Sequence, residues 1–230
     1  MVRRTRRSVL RASAAATVGV AGCGGLRAGE SSPAGSAGTL AFSDEFEFTG
    51  SPRENGWRED TSNRLGGCPR AVADGDVLTV DAGQYNNCGL FRTVDFGRRA
   101  TPRAEMRARS LDSNLPDRHV VALRLSAVGS EGPTGDSATL VFRRNPGRAS
   151  NQLTVRARGR RTRHTADRAS STDWHTMALG YDGERTYAGT ASERFLVADR
   201  SPPLTRAVRV ELRNGNSINE YDYVRLWRVG

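Results

Sequence analysis

Ala104-Glu105-Met106-Arg107-Ala108-Arg109 places a small or apolar residue at every second position and a charge between each. That is the period of a half-buried strand, with Ala104, Met106 and Ala108 toward a core and Glu105, Arg107 and Arg109 outward. Residues 77–80, 120–125, 139–142, 153–158, 176–179, 208–212 and 223–229 are short, apolar and alternating in the same way. Turn formers separate them: Asp74-Gly75, Asn145-Pro146-Gly147, Asp182-Gly183, Pro202-Pro203 and Asn214-Gly215. No stretch keeps an apolar helical face over three turns. Strands of this number and spacing predict an all-β domain, a β-sandwich of two antiparallel sheets, over residues 39–230. There is no internal repeat and no second domain.

The N-terminal end has a different character. Residues 1–22 carry five arginines and no acid, and a weakly apolar run over 12–21 follows Arg6-Arg7. That run is about half the roughly 20 residues needed to span a hydrocarbon core. It reads as a twin-arginine signal peptide, and Val20-Ala21-Gly22-Cys23 as a lipobox whose Cys23 receives the lipid. The alternative is a plain secretory signal with a chance cysteine. Residues 23–38, rich in Gly, Ser and Pro, read as a flexible tether. The expected location is extracytoplasmic, with the membrane reached through a lipid anchor.

Export changes the charge argument. The chain is formally +10, and loss of the signal leaves about +5. All 35 basic residues are arginine, which points to a compositional bias more than to a nucleic-acid partner, and none is expected. About 190 residues remain, enough for one core, read as a monomer. Besides Cys23 only Cys68 and Cys88 occur, and in an oxidising compartment such a pair reads as a disulfide. The run Arg156, Arg158, Arg160, Arg161, Arg163, His164 reads as a basic hairpin around Gly159. It is either a charged edge protected from aggregation or a contact for an anionic polymer.

Other segments carry a resemblance. They are Phe42-Ser43-Asp44-Glu45-Phe46 with Trp57, Asp74 to Val80, and Cys88-Gly89-Leu90-Phe91-Arg92-Thr93 succeeded by Arg103 to Arg107. Further on come Trp174-His175-Thr176-Met177-Ala178-Leu179 with Tyr181-Asp182-Gly183, and finally Tyr221 to Leu226. In this order they resemble the concanavalin A-like jelly roll of glycoside hydrolase family sixteen, the laminarinase and lichenase group, over nearly all of 40–230. The resemblance implies sugar contacts at Glu105 and Arg107, for which the alternative is a surface ion pair. It also implies a structural calcium ion at Asp222; no other cofactor is required.

A retaining glycosidase needs two carboxyl groups about 5–5.5 Å apart. The resemblance implies that both come from one strand, written E-x-D-x-E or E-x-D-x-x-E, after Ala122-Leu123-Arg124-Leu125. At that place the chain has Gly135-Asp136-Ser137-Ala138-Thr139-Leu140-Val141. Asp136 takes the nucleophile position, but Leu140 or Val141 falls where the acid belongs, and an apolar side chain donates no proton. The expectation is a membrane-anchored, polysaccharide-binding domain without the hydrolytic pair. Its groove would be lined by Glu105, Arg107, Arg124 and Asp136, with Tyr85 as a stacking platform from a polar loop. If catalysis survives, Asp136 and Glu131 are the candidate carboxyls. The alternatives are an active hydrolase, a polysaccharide lyase, for which Arg103 to Arg107 resembles the R-S-E-L-R strand, and a structural lipoprotein.

Overall fold

Every segment read as alternating lies mostly or wholly within a strand. The computed structural model describes residues 38–60, 68, 70–82, 87–111, 120–130, 132–143, 150–157, 160–167, 173–190, 193–215 and 217–230. Cys23, Tyr85 and Glu131, and the proposed signal and tether up to residue 37, lie outside them. The described residues belong to one compact unit.

The strands are β1 (Thr39–Asp44), β2 (Thr49–Gly50), β3 (Arg58–Glu59), β4 (Arg70–Asp74), β5 (Leu78–Asp81), β6 (Asn87–Asp95), β7 (Thr101–Leu111) and β8 (Val120–Gly129). They continue with β9 (Gly132–Arg143), β10 (Ser150–Ala157), β11 (Arg160–Asp167), β12 (His175–Tyr181), β13 (Thr186–Thr190), β14 (Glu193–Ala198), β15 (Ala207–Gly215) and β16 (Ile218–Val229). Two antiparallel sheets result. The first runs β14-β13-β12-β7-β16-β5-β4-β2, with β1 also paired to β16; the second runs β11-β10-β9-β8-β15-β6-β3.

Alternation decides what lies between them. β7 buries every second residue, so Ala104, Met106 and Ala108 are inside, joined from the first sheet by Met177, Leu179, Val224 and Leu226. The second sheet answers with Leu90, Leu123, Leu125, Leu140, Val208, Val210 and Leu212, all fully buried. Each such leucine or valine stabilises by roughly 1.5–3 kcal/mol relative to exposure.

Two local devices tie the chain into this core. The Asp44 carboxylate accepts from the Phe46 backbone N–H at 2.9 Å and from the Trp57 indole N–H at 2.8 Å. It thereby holds the corner where Phe46 adopts a positive φ of 53°. The expected disulfide is present: Cys68 and Cys88 are joined, with Cα atoms 4.9 Å apart. Cys68 sits just before β4 of the first sheet and Cys88 lies in β6 of the second, so the bond crosses the sandwich.

Candidate functional site: the outward faces of the two sheets

The sandwich has two outward faces, and the candidate residues are divided between them. Glu105 and Arg107 leave β7 on the side opposite the buried Ala104 and Met106, so they belong to the outer face of the first sheet. Arg124 lies between the buried Leu123 and Leu125 of β8, on the outer face of the second. The expected single groove lined by Glu105, Arg107, Arg124 and Asp136 is therefore corrected. A sandwich keeps a core's thickness between its two outer faces, and no ligand group touches both.

On the first sheet Glu105, Arg107, Arg109 and Arg225 have partners within the protein. The Tyr223 hydroxyl donates to Glu105 at 2.8 Å. Burial and that carboxylate push the tyrosine up to about 12. Arg107 pairs with Asp222 at 2.8 Å, Arg109 with Glu220, and Arg225 makes two hydrogen bonds to Glu45 at 3.0 and 3.1 Å. Aromatic faces are covered as well. The guanidinium carbons of Arg107 and Arg109 stand 5.3 and 4.7 Å from the Trp174 ring centroid, and that of Arg225 stands 4.2 Å from Tyr223. Asp222 fits a calcium site poorly, since its carboxylate faces a guanidinium. Among the described residues no three His, Cys, Asp or Glu side chains are grouped to hold a metal ion.

The second sheet presents a different arrangement. β15 alternates, burying Val208, Val210 and Leu212 in the core and turning Arg209, Glu211 and Arg213 outward. Glu211 is nonetheless fully buried, because arginines close over it. Arg213 Nε lies 3.0 Å from Glu211 Oε1, and Arg124 Nη1 lies 3.5 Å from Oε2. Arg209 Nη2 lies 3.2 Å from Asp60 Oδ2 and 3.9 Å from Glu211 Oε2, with its guanidinium carbon 3.4 Å from the Phe91 ring centroid. Burial pushes the Glu211 carboxyl up, against the pull of Arg213 and Arg124, and the neighbouring Asp60 adds to the rise. Burial also pulls Arg124 down, while Glu211 opposes it. Both members of the pair have lost water, the setting in which ionic contacts are strong and costly to form.

Strand register extends this cluster across the sheet. Thr139 of β9 pairs with Arg124, Arg124 with Glu211, Glu211 with Phe91, and Phe91 with Arg58 of β3. On the other side Thr139 pairs with Arg156 of β10, and Arg156 with Arg161 of β11. One row of paired positions thus crosses all seven strands, over roughly 29 Å at about 4.8 Å per step. The basic hairpin expected around Gly159 is formed by β10 and β11, with β11 at the sheet edge.

β9 is the strand where the resemblance implies the catalytic carboxyls. Its Ala138, Leu140 and Phe142 are buried in the core, and Ser137, Thr139 and Val141 point the other way. The frame that starts at Asp136 and continues through Ala138 and Leu140 therefore runs into the core. Asp136 itself stands beside the irregularity that shifts the β8–β9 register between Ser126 and Val128, and its backbone N–H donates to Thr134 Oγ1 at 3.3 Å.

No protein-family model matches the chain, and no curated protein matches it. Solved structures do. A non-specific endo-β-1,3(4)-glucanase from glycoside hydrolase family sixteen aligns at 16% identity and a TM-score of 0.61, over 84% of this chain and 91% of its own. The catalytic domain of LamA from Zobellia galactanivorans aligns at 16% identity and a TM-score of 0.59, over 82% and 97%. A structure described with endo-acting O-glycanases of the human gut microbiota aligns at 15% and 0.64, over 84% and 100%. The fold is the glycoside hydrolase jelly roll. At these identities the likeness establishes architecture, and the chemistry rests on the side chains above. Asp60, Arg209, Glu211 and Arg213 were not among the sequence candidates. The alternation in Val208-Arg209-Val210-Glu211-Leu212-Arg213 carried the signal for the last three, and nothing local marked Asp60.

Proposed function

We propose that this domain binds polysaccharide on the outer face of the seven-stranded sheet, without hydrolysing it, while Cys23 carries a lipid that holds it at a membrane outside the cytoplasm. The observation that carries the reading is the outward frame of β9. Ser137, Thr139 and Val141 hold the outward positions of the strand on which the resemblance implies the carboxyls, yet the sheet retains a polar, charged outer face around Arg124. Hydroxyl and guanidinium groups bind sugar oxygens but supply no acid with a pKa near neutrality. The fold neighbours support the glycan half of the reading, one having been crystallised with laminaritriose and laminaritetraose.

The test is a panel of soluble polysaccharides run against the full chain by affinity electrophoresis, with reducing ends and unsaturated products assayed in parallel. Retardation by at least one glycan without product is the expected result. Absence of retardation by every glycan overturns the binding reading, and products lost in Asp136→Asn overturn the non-catalytic one. Detergent phase partitioning tests the anchor: the chain enters the detergent phase and Cys23→Ser does not. Equal partitioning of the two would sink it.

A further inference from the structure

We infer that the polymer held on this face is acidic, a uronate-bearing or otherwise carboxylated glycan, whose carboxylates dock on the arginines of the seven-strand row. The inference rests on the glycan-binding reading above and names its ligand class.

The acids and bases of this face lie at different depths. Glu211 is 0% exposed and Asp60 4%, whereas the side chains of Arg209, Arg124 and Arg213 keep 15%, 24% and 30% of their surface. Arg156 and Arg58, toward the two ends of the row, are exposed. Solvent therefore reaches these arginine side chains only in part, with Arg124 Nε and Arg209 Nε and Nη2 buried, while the carboxylates lie beneath them. Among the described residues three arginines stand against two carboxyls at the centre, an excess of positive charge. The buried carboxylates also orient the arginines in advance, so less rotamer freedom is lost when an anion arrives.

The other face lacks this property. There Arg107 pairs with Asp222, Arg109 with Glu220 and Arg225 with Glu45, the carboxylates keep 32%, 16% and 40% of their surface rather than lying wholly beneath, and Arg103 stands over the Trp227 ring. Spacing adds direction. Arg156, Arg124 and Arg58 recur along one line that crosses the strands, which suits a linear polymer carrying a carboxylate at intervals. A planar fork that donates to two carboxylate oxygens at once makes arginine suited to this recognition.

The experiment compares a neutral β-glucan with the same polymer oxidised to carboxylates at its primary hydroxyls, using the full chain at low and moderate salt. The carboxylated form is expected to bind about tenfold more tightly at low salt, a preference that shrinks as salt rises. Arg58→Gln/Arg156→Gln changes only exposed residues and is expected to lose most of the preference with an unchanged melting temperature. Arg124→Gln tests the centre. Arg98→Gln/Arg99→Gln removes two exposed charges away from the row and is expected to keep the preference. Equal affinity for both polymers overturns the inference and leaves glycan binding standing. Loss of the preference in the Arg98/Arg99 variant overturns it in favour of net charge alone. Binding of neither polymer here and of no glycan in the wider panel overturns the inference together with the reading beneath it.

Discussion

Gly89 of β6 makes room for Glu211. A Cβ built at Gly89 would stand 2.5 Å from Glu211 Oε1 and 3.5 Å from Asp60 Cβ. The carboxylate cannot swing aside freely, because it is buried and Arg213 stands 3.0 Å away. Gly89→Ala is expected to destabilise the fold by about 1–3 kcal/mol, read from denaturant unfolding. In a Glu211→Ala background the penalty should fall by more than half; an unchanged penalty would show that the crowding lies elsewhere. At this scale the sequence shows direction but not depth. Alternation tells that Glu211 faces away from Val210 and Leu212. Its complete burial comes from Arg124 and Asp60, residues far from it in the chain. Asp44 is a similar case: its segment and Trp57 were read only as parts of the resemblance, and the indole hydrogen bond that joins them is visible in the fold alone.

The turn between β12 and β13 is built around one carboxylate. Asp182 Oδ1 accepts from the backbone N–H groups of Glu184 and Arg185 at 2.8 and 2.7 Å, and Oδ2 accepts from the Tyr187 hydroxyl at 2.6 Å. Partial burial alone would raise the Asp182 carboxyl. The hydrogen bonds from Arg185, Tyr187 and Glu184 outweigh it and hold the group below the usual carboxylate range. A lowered folded value means the ionised form stabilises the turn above the unfolded value near about 3.9, and that contribution is lost as pH falls through the folded value. Asp182→Ala should therefore cost about 1 kcal/mol at neutral pH, allowing for the turn's exposure. The gap between the melting curves of the two proteins should narrow as the pH is taken down past the unfolded value of about 3.9 and further. A gap that stays constant on continued acidification would exclude the carboxylate as its source. Elements were legible where period two was clean, as in β7 and β15. β11 was legible only as the second arm of the basic hairpin, because Arg160 to Asp167 is almost wholly polar, and β13 escaped because Thr186-Tyr187-Ala188-Gly189-Thr190 is short and small. The reading of β9 was one residue out of frame for a related reason. Asp136 was the nearest acid, but the register irregularity beside it leaves the outward frame on Ser137, Thr139 and Val141.

Across the whole molecule the Cys68–Cys88 bond fastens one sheet to the other and closes a loop with a sequence separation of 20. Cys68→Ala/Cys88→Ala is expected to lower stability by about 3 kcal/mol, most of it through the unfolded chain. Urea midpoints with and without a reductant should differ for the parent and coincide for the variant. The same scale shows why the face was harder to locate than the fold. Alternation and turns report which side of a strand is wet, and that sufficed for two sheets. They do not report which wet side belongs to which sheet, so Glu105 and Arg124 looked like neighbours although the core lies between them.

β1 pairs with the last strand of the first sheet, Thr39 opposite Arg228, while the basic row crosses the second. On the anchoring proposal, a pull between membrane and captured polymer enters at Thr39 and leaves through the opposite sheet. The load then passes through a six-residue strand, through the interlocked core, and along the covalent Cys68–Cys88 link. β1, the first element in that path, is expected to yield first under force, so the grip would outlast its loss.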